Sequence, residues 1–282
     1  MGERHVDVRG VSVGATPAWQ AAAGRKLKSI EPVWWLSAGL AAFAVALYLL
    51  WIRHEEAIQR PEIAWWALGL MVVVTERWPI ELQFRRATHA FTVTDVPLTL
   101  ALVFATGTHA FFAVLAGLLV ALVLRRMPPV KLAFNLAQYA LVTAVLILVV
   151  HFAASTDPAF GWITWLAVIA ATQIGGLLAI VQILAAMVLT EGRVSRDQVR
   201  QMFGADLVVT LTGTVMALVV GILWVERPEA TPLLLIPILG AIVGSRAYVR
   251  EREDHEKAEF LAEANRTLSE SPEVAVALEG LL

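Results

Sequence analysis

Long uncharged apolar runs alternate with short polar segments along most of this chain. The runs cover approximately residues 33–52, 63–74, 98–124, 132–153, 162–189, 207–225 and 233–249. A helix needs about 20 apolar residues to cross a bilayer, and most of these runs approach or exceed that length. The pattern predicts an all-α fold, a polytopic transmembrane helical bundle rather than a soluble globule. The lipid bilayer is therefore the first expected partner.

The block 98–124 determines how many crossings are predicted, because it can form one helix or two. If the N-terminus is cytoplasmic and the block divides at Gly107, only three of the 22 Lys and Arg residues face outward: Arg53, Arg60 and Arg227. A single crossing would instead place the basic residues between 193 and 200 outside, against the positive-inside rule. We therefore expect about eight crossings in a bacterial inner membrane, with both termini cytoplasmic. Runs 63–74 and 98–107 are short, so either could be tilted or re-entrant.

The last apolar run continues without a Gly or Pro into a charged segment rich in Ala, Leu, Glu, Lys and Arg. This composition favours one continuous helix over residues 233–268. Such a helix would be about 54 Å long, whereas the bilayer core takes about 30 Å. The surplus is predicted to stand in the cytoplasm as a signal-relay helix that begins at Arg250. Leu261, Ala264 and Leu268 follow 3-4 spacing, which suits pairing with a second copy of the chain as a homodimer.

These features divide the chain into four parts. Residues 1–31 are predicted to be a disordered cytoplasmic tail, residues 32–249 the transmembrane bundle, and residues 250–269 the charged relay helix. Ser271 as N-cap and Pro272 at the first helical position begin another helix. Residues 270–282 are therefore expected to be the truncated start of a downstream cytoplasmic domain.

Several polar side chains fall within or at the ends of the apolar runs, where burial is costly unless they face a bundle interior or water. They are Glu76, Asp95, Asn135, Gln138, Gln173, Gln182 and Asp206. We expect a polar site in the inner half of the bundle, with Gln173 and Gln182 beside any central pocket. The alternative is structural: Asp95 and Asp206 cap helix starts, and the amides join helices.

Metal and catalytic chemistry have little support in the sequence. His54, His109 and His151 share the predicted outer side and could converge on a metal, but none has the i, i+4 spacing of a helical ligand pair. Scattered interfacial histidines are the ordinary alternative. No cysteine is present, and no nucleophile elbow, phosphate loop or HExxH motif occurs. We expect no enzyme activity in these residues, no cofactor and no nucleic-acid partner.

Two stretches resemble a known group of proteins. Residues 260–274 look like the helical lead-in to GAF domains of bacterial signalling proteins. The region from Pro97 to Phe134-Asn135-Leu136-Ala137-Gln138-Tyr139 is similar to multi-pass input regions that precede GAF, GGDEF, EAL or HD-type domains. The resemblance implies sensing at the membrane with a cytoplasmic output domain, commonly one of cyclic di-GMP signalling. No GGDEF, EAL or HD motif is present, so that activity is assigned to no residue of this chain.

The expected function is therefore that of a sensory input domain. A small ligand, a lipid change or a proton shifts the packing of the small-residue faces on the later helices, and the last crossing relays that shift to the output domain. A small-molecule transporter is the alternative, since polar residues in a bundle can enclose a substrate path. A membrane anchor without a pocket is a third class, for which a bundle of this size is unnecessarily large.

Overall fold

The computed structural model describes residues 18–77, 80–84, 87–91, 94–154, 161–192 and 194–230. These residues form seven α-helices and one two-stranded hairpin. The elements in chain order are α1 (Ala18–Leu50), α2 (Trp65–Arg77), β1 (Ile80–Phe84), β2 (Ala87–Phe91), α3 (Asp95–Phe104), α4 (Gly107–Leu124), α5 (Pro129–Ala154), α6 (Trp162–Glu191) and α7 (Arg196–Glu226). A 3₁₀ turn, Ile52–His54, follows α1.

Five segments of the described chain are helical, long and apolar enough to cross a bilayer. They are Glu31–His54, Gly107–Leu124, Pro129–Ala153, Trp162–Thr190 and Arg196–Glu226. Large apolar side chains such as Trp35, Trp66 and Phe152 are exposed on the bundle, as lipid contact requires. The prediction of a membrane-embedded helical bundle is confirmed at this level.

Two of the predicted crossings are much shorter than a bilayer. Helix α2 has 13 residues and α3 has 10, which correspond to about 20 Å and 15 Å. A hydrocarbon core is about 30 Å thick, so neither helix crosses it alone. The count of eight full crossings is therefore not confirmed, because these two runs form short helices within the bundle.

The short helix α3 is the centre of the bundle. Every residue from Val96 to Phe104 is buried, and α3 contacts α2, α4, α5, α6 and α7. The helix break predicted near Gly107 is confirmed. Thr106 caps α4 by accepting a hydrogen bond from the His109 backbone N–H at 3.2 Å. A side chain at Gly107 would collide with the carbonyl oxygen of Ile52.

Helices α2 and α4 pack closely through glycine. An ideal Cβ placed on Gly117 would lie 2.8 Å from the Val72 side chain and would also collide with the carbonyl oxygen of Gly69. Small residues at such contacts allow helix backbones to approach each other. The sequence pattern of small residues pointed instead to the later helices, so this contact was not anticipated.

The described residues form a helical bundle, as predicted, with one short hairpin that was not predicted. Strands β1 and β2 are antiparallel, with Ile80 opposite Phe91 and Phe84 opposite Ala87. Alternating apolar and polar residues over Ile80–Phe84 have the two-residue period of a strand. Because β1 lies between two apolar runs, this short alternation was missed. The hairpin connects the end of α2 to the start of α3.

The ends of the chain differ from expectation at one point and lie outside the described residues at others. Helix α1 already begins at Ala18, within the tail predicted over residues 1–31, and residues 1–17 lie outside the described residues. Its alanine-rich start favours helix over coil. The run 233–249, the relay helix with Arg250, Leu261, Ala264 and Leu268, and residues 270–282 all lie outside the described residues.

Candidate functional site

A cavity of about 330 Å³ lies among α3, α5, α6 and α7. Each helix contributes one face to it, with the helical spacing of three and four residues. Its polar lining residues are Thr94, Asp95, Asn135, Gln138, Tyr139, Thr172, Asp206 and Thr210. Four of the residues predicted for the polar site, Asp95, Asn135, Gln138 and Asp206, therefore share one cavity.

Asp95 is the first residue of α3 and brings a carboxylate to the cavity. Thr210 lines the same cavity, and Asp206 lies close enough to Asp95 to act on it electrostatically. On α7, an ideal Cβ at Gly213 would lie 2.9 Å from the Asp95 Cβ. The absence of a side chain at Gly213 therefore allows α7 to approach the start of α3. Asp95 occupies the first turn as the capping alternative predicted, and it also lines the cavity.

Asp206 is not at a helix start, which corrects the capping interpretation for this residue. Helix α7 begins at Arg196, and Ser195 caps it in a reciprocal arrangement with Gln198. Asp206 therefore lies well inside α7, and its carboxylate points at α6. A Cβ at Gly176 would collide with a carboxylate oxygen of Asp206. Gly176 thus leaves the space in which this carboxylate lies.

Each of the two amides on α5 has one N–H donor engaged in a hydrogen bond. Gln138 is buried and donates from Nε2 to the carbonyl oxygen of Ala179 at 3.2 Å, a bond between α5 and α6. Asn135 donates from Nδ2 to the sulfur of Met127 at 3.6 Å. These bonds orient both side chains so that their carbonyl oxygens remain as acceptors in the cavity wall.

Glu76 lies next to the cavity rather than in its lining. Its buried carboxylate accepts a hydrogen bond from Thr94 Oγ1 at 2.7 Å and one from Tyr139 Oη at 3.5 Å. Arg125, at the end of α4, forms an ion pair with it at 3.4 Å and also donates to the Glu76 backbone carbonyl. Since Thr94 and Tyr139 line the cavity, this network joins its wall to the ends of α2 and α4.

Gln173 and Gln182 are not brought into the cavity. Both lie on α6 but on the flanks of the face formed by Thr172, Gly176 and Ile183. Gln182 is buried, and no hydrogen-bond partner within the described residues satisfies its side-chain amide. Their predicted role beside a central pocket is therefore not supported by their position.

The three histidines considered for a metal are engaged separately. His151 contacts the backbone carbonyls of Ile147 and Glu56 through its two ring nitrogens, at 2.9 Å and 2.8 Å. His54 accepts a hydrogen bond from Arg53 at 2.9 Å, and His109 belongs to the first turn of α4. No cluster of three or more potential metal-ligating side chains occurs in the described part of the chain.

Sequence reasoning missed several contributors to the site. Arg125 was not among the predicted site residues, although it forms an ion pair with Glu76. Thr172 and Thr214 join α6 to α7 by a hydroxyl hydrogen bond of 2.9 Å. Threonine is common in membrane helices and carries no positional signal of its own. Thr94 could have been included in the predicted site, because it directly precedes Asp95 in the sequence.

Comparisons of the chain with models of protein families, with curated proteins and with solved structures give no match. The resemblance to signalling input regions therefore remains a prediction. The physical findings are a membrane-embedded bundle and an acid-lined cavity inside it.

Proposed function

We propose that this chain is the input region of a bacterial signalling protein and that the cavity takes up its stimulus, a small ligand. In this proposal α2 and α3 enter and leave the inner membrane as a re-entrant pair, the run 233–249 is the last crossing, and both ends are cytoplasmic. The last crossing and the helix from Arg250 relay the signal, as a homodimer, to an output domain such as one of cyclic di-GMP signalling.

The cavity is the observation that carries this proposal, because α7 forms one of its walls. Asp206 and Thr210 of α7 face the cavity, and Thr214 hydrogen bonds to Thr172 of α6. The chain leaves α7 at Glu226 and leads, after a short turn, to the run 233–249. A change in how α7 packs against α3 and α6 would therefore act directly on the start of the last apolar run.

The coupling required is a population shift between two packings of α7. A ligand shifts such an equilibrium only if it binds one packing more tightly than the other. A ligand in the cavity changes the charge balance around Asp95 and Asp206. This change is the source of the difference in ligand affinity between the two packings. Replacement of Asp206 by Asn imitates charge neutralisation and is expected to shift the same equilibrium without any ligand.

Spin labels can test the relay directly, because the chain contains no cysteine. One label is placed at Leu124, which is exposed at the end of α4, and one at Leu261. Doubly labelled chains are diluted with unlabelled protein in lipid nanodiscs, and the intramolecular distance distribution is measured by pulsed electron resonance. We expect Asp206→Asn to change this distribution.

Asp197→Asn is the matched control, since Asp197 is an exposed carboxylate in the first turn of α7, outside the cavity. It should leave the distances unchanged. If Asp206→Asn leaves them unchanged as well, while the labelled protein remains folded, the relay is wrong.

Transport is the second candidate, supported by the short helix α3 among full-length helices. Transporters place substrate sites at the ends of such discontinuous segments, and Asp95 at the start of α3 lines the cavity. Solute uptake by vesicles containing the chain, abolished by Asp206→Asn but not by Asp197→Asn, would favour transport. The absence of solute uptake, together with spin-label distances that change with Asp206→Asn, would favour the sensor.

A further inference from the structure

The cavity contains two carboxyl groups within an apolar bundle. Asp95 and Asp206 both line it, whereas no Lys, Arg or His of the described residues does. The nearby guanidinium of Arg125 is paired with Glu76 instead. Carboxylates away from bulk water are costly unless a positive charge compensates them. A ligand that brings this charge would therefore be favoured.

Hydrogen-bonding capacity in the cavity is biased toward acceptors. Gln138 and Asn135 each use one N–H of the side-chain amide in a bond to Ala179 or Met127, and each amide also carries a carbonyl oxygen that can accept. The Thr172 hydroxyl donates to backbone carbonyls of α6. A primary ammonium group carries three donors and no acceptor. It therefore complements this wall, whereas a carboxylate or phosphate ligand would face like charge.

The size and the remaining walls of the cavity exclude a bare ion as the best fit. Its volume of about 330 Å³ is roughly ten times the volume that one water takes in the liquid and lies at the lower end of small-molecule pockets. The lining also includes apolar surface from Leu98, Val142, Leu146, Ile180 and Val209. A bare Ca²⁺ or Mg²⁺ ion, which binds oxygen ligands, would leave this apolar surface without a partner.

We infer that the cavity binds a small organic cation, a protonated primary amine with an apolar body, whose ammonium group lies between Asp95 and Asp206. The inference rests on the proposed function, because it names the chemical class of the stimulus. The apolar part of the ligand contacts the aliphatic walls, and the ammonium group donates to the two carboxylates and the Gln138 carbonyl oxygen. The carboxylates therefore select for the charge of the ligand, and the aliphatic walls select for the size of its apolar part.

The test uses the whole 282-residue chain in lipid nanodiscs at constant pH and ionic strength. The probes are a series of primary ammonium ions from methylammonium to benzylammonium, with benzyl alcohol as the neutral isostere and benzoate as the anion. Binding is measured by saturation-transfer nuclear magnetic resonance with competition. Saturable binding of an ammonium probe, at least tenfold tighter than that of the alcohol or the acid, is the expected result.

Asp95→Asn and Asp206→Asn should each weaken ammonium binding at least tenfold, and Asp197→Asn should leave it unchanged. Gln138→Leu provides a further variant that keeps both carboxylates and removes one acceptor; it should weaken ammonium binding and leave benzyl alcohol unaffected. Failure of every ammonium probe to bind saturably would overturn the inference. Equal affinity for benzylammonium and benzyl alcohol would overturn it as well.

The ligand class and the relay fail in different ways. If the spin-label distances respond to Asp206→Asn but no ammonium probe binds, the ligand class is wrong and the relay stands. If ammonium ions bind in a carboxylate-dependent way and the distances never change, the ligand class stands and the relay is wrong.

Discussion

At the scale of single residues, the two cavity carboxylates suit the proposed binding site but are expected to lower the free energy of unfolding. Asp95 and Asp206 share one polar space without a lining cation among the described residues, and Gly176 and Gly213 leave room for them. Buried charge without compensation lowers the free energy of unfolding. A chain that retains such groups in its interior is characteristic of a binding site rather than of a core selected for stability.

We expect Asp206→Asn to stabilise the unliganded chain, because it removes an uncompensated charge and nearly preserves shape. The gain in the free energy of unfolding should be about 1–3 kcal/mol. Thermal unfolding in a mild detergent measures it, with Asp197→Asn as the control that changes nothing. A lower unfolding temperature for Asp206→Asn would show that the carboxylate is already compensated within the fold.

Arg125 has the opposite role, since it compensates a buried charge. Its loss leaves Glu76 buried without its cation, and breaking such a pair typically costs about 3–5 kcal/mol. Arg125→Gln should therefore unfold at clearly lower temperature than the wild type.

Arg227→Gln is a suitable control, because the Arg227–Glu229 pair is mostly exposed and exposed pairs contribute about 0–1 kcal/mol. The double variant Glu76→Gln/Arg125→Gln should recover part of the loss. Equal unfolding temperatures for Arg125→Gln and Arg227→Gln would contradict the assigned network.

At the scale of the elements, α3 determines how the site is assembled. It is too short to cross a bilayer, and both of its ends are held inside the protein. The segment before α2 hydrogen bonds to its C-terminal end, from Gln59 and Ile63 to the carbonyls of Val103 and Phe104, at 3.0 Å and 2.9 Å. Thr94, before its first residue, hydrogen bonds to Glu76. These hydrogen bonds fix the position of Asp95 along the axis of the bundle.

Close packing of α2 on α4 holds that arrangement in place. Gly117→Val should destabilise the bundle by about 1–3 kcal/mol, because the added side chain would overlap Gly69 and Val72. Gly39→Val on α1 is the control, since nothing lies within 4 Å of a Cβ placed there. Thermal unfolding of the two variants should differ clearly. Similar unfolding temperatures would show that α2 and α4 do not approach as described.

The elements also show what the sequence could predict. Helices α4 to α7 match apolar runs bounded by polar turns, and the break before Gly107 followed from charge distribution. The sequence did not predict that α3 is buried at the centre of the bundle, because apolar residues occur both on helices that face lipid and on helices that face protein. Likewise, Asp206 was assigned to a helix start because the polar residues of 196–206 resemble a boundary, whereas α7 runs through them.

At the scale of the whole molecule, the sequence could not predict which residues far apart along the chain contact one another. Asp95, Asn135, Gln138 and Asp206 were identified as polar outliers one by one, but only packing shows that they share a cavity. The partnership of Glu76 with Arg125 spans 49 positions and has no local signal. The relay helix remains a prediction from its composition, since it lies outside the described residues.

The central claim is that the bundle contains an accessible cavity selective for cations, and cysteine modification tests it most directly. Met202 lines the cavity, and its neighbour Gln201 is exposed and does not. A cysteine introduced at each position in the cysteine-free chain is treated with a cationic aminoethyl and an anionic sulfonatoethyl methanethiosulfonate. The preference for the cation should be at least tenfold greater at position 202 than at 201, and Asp206→Asn should remove the difference. Equal preferences at the two positions, or no reaction at 202, would contradict the account.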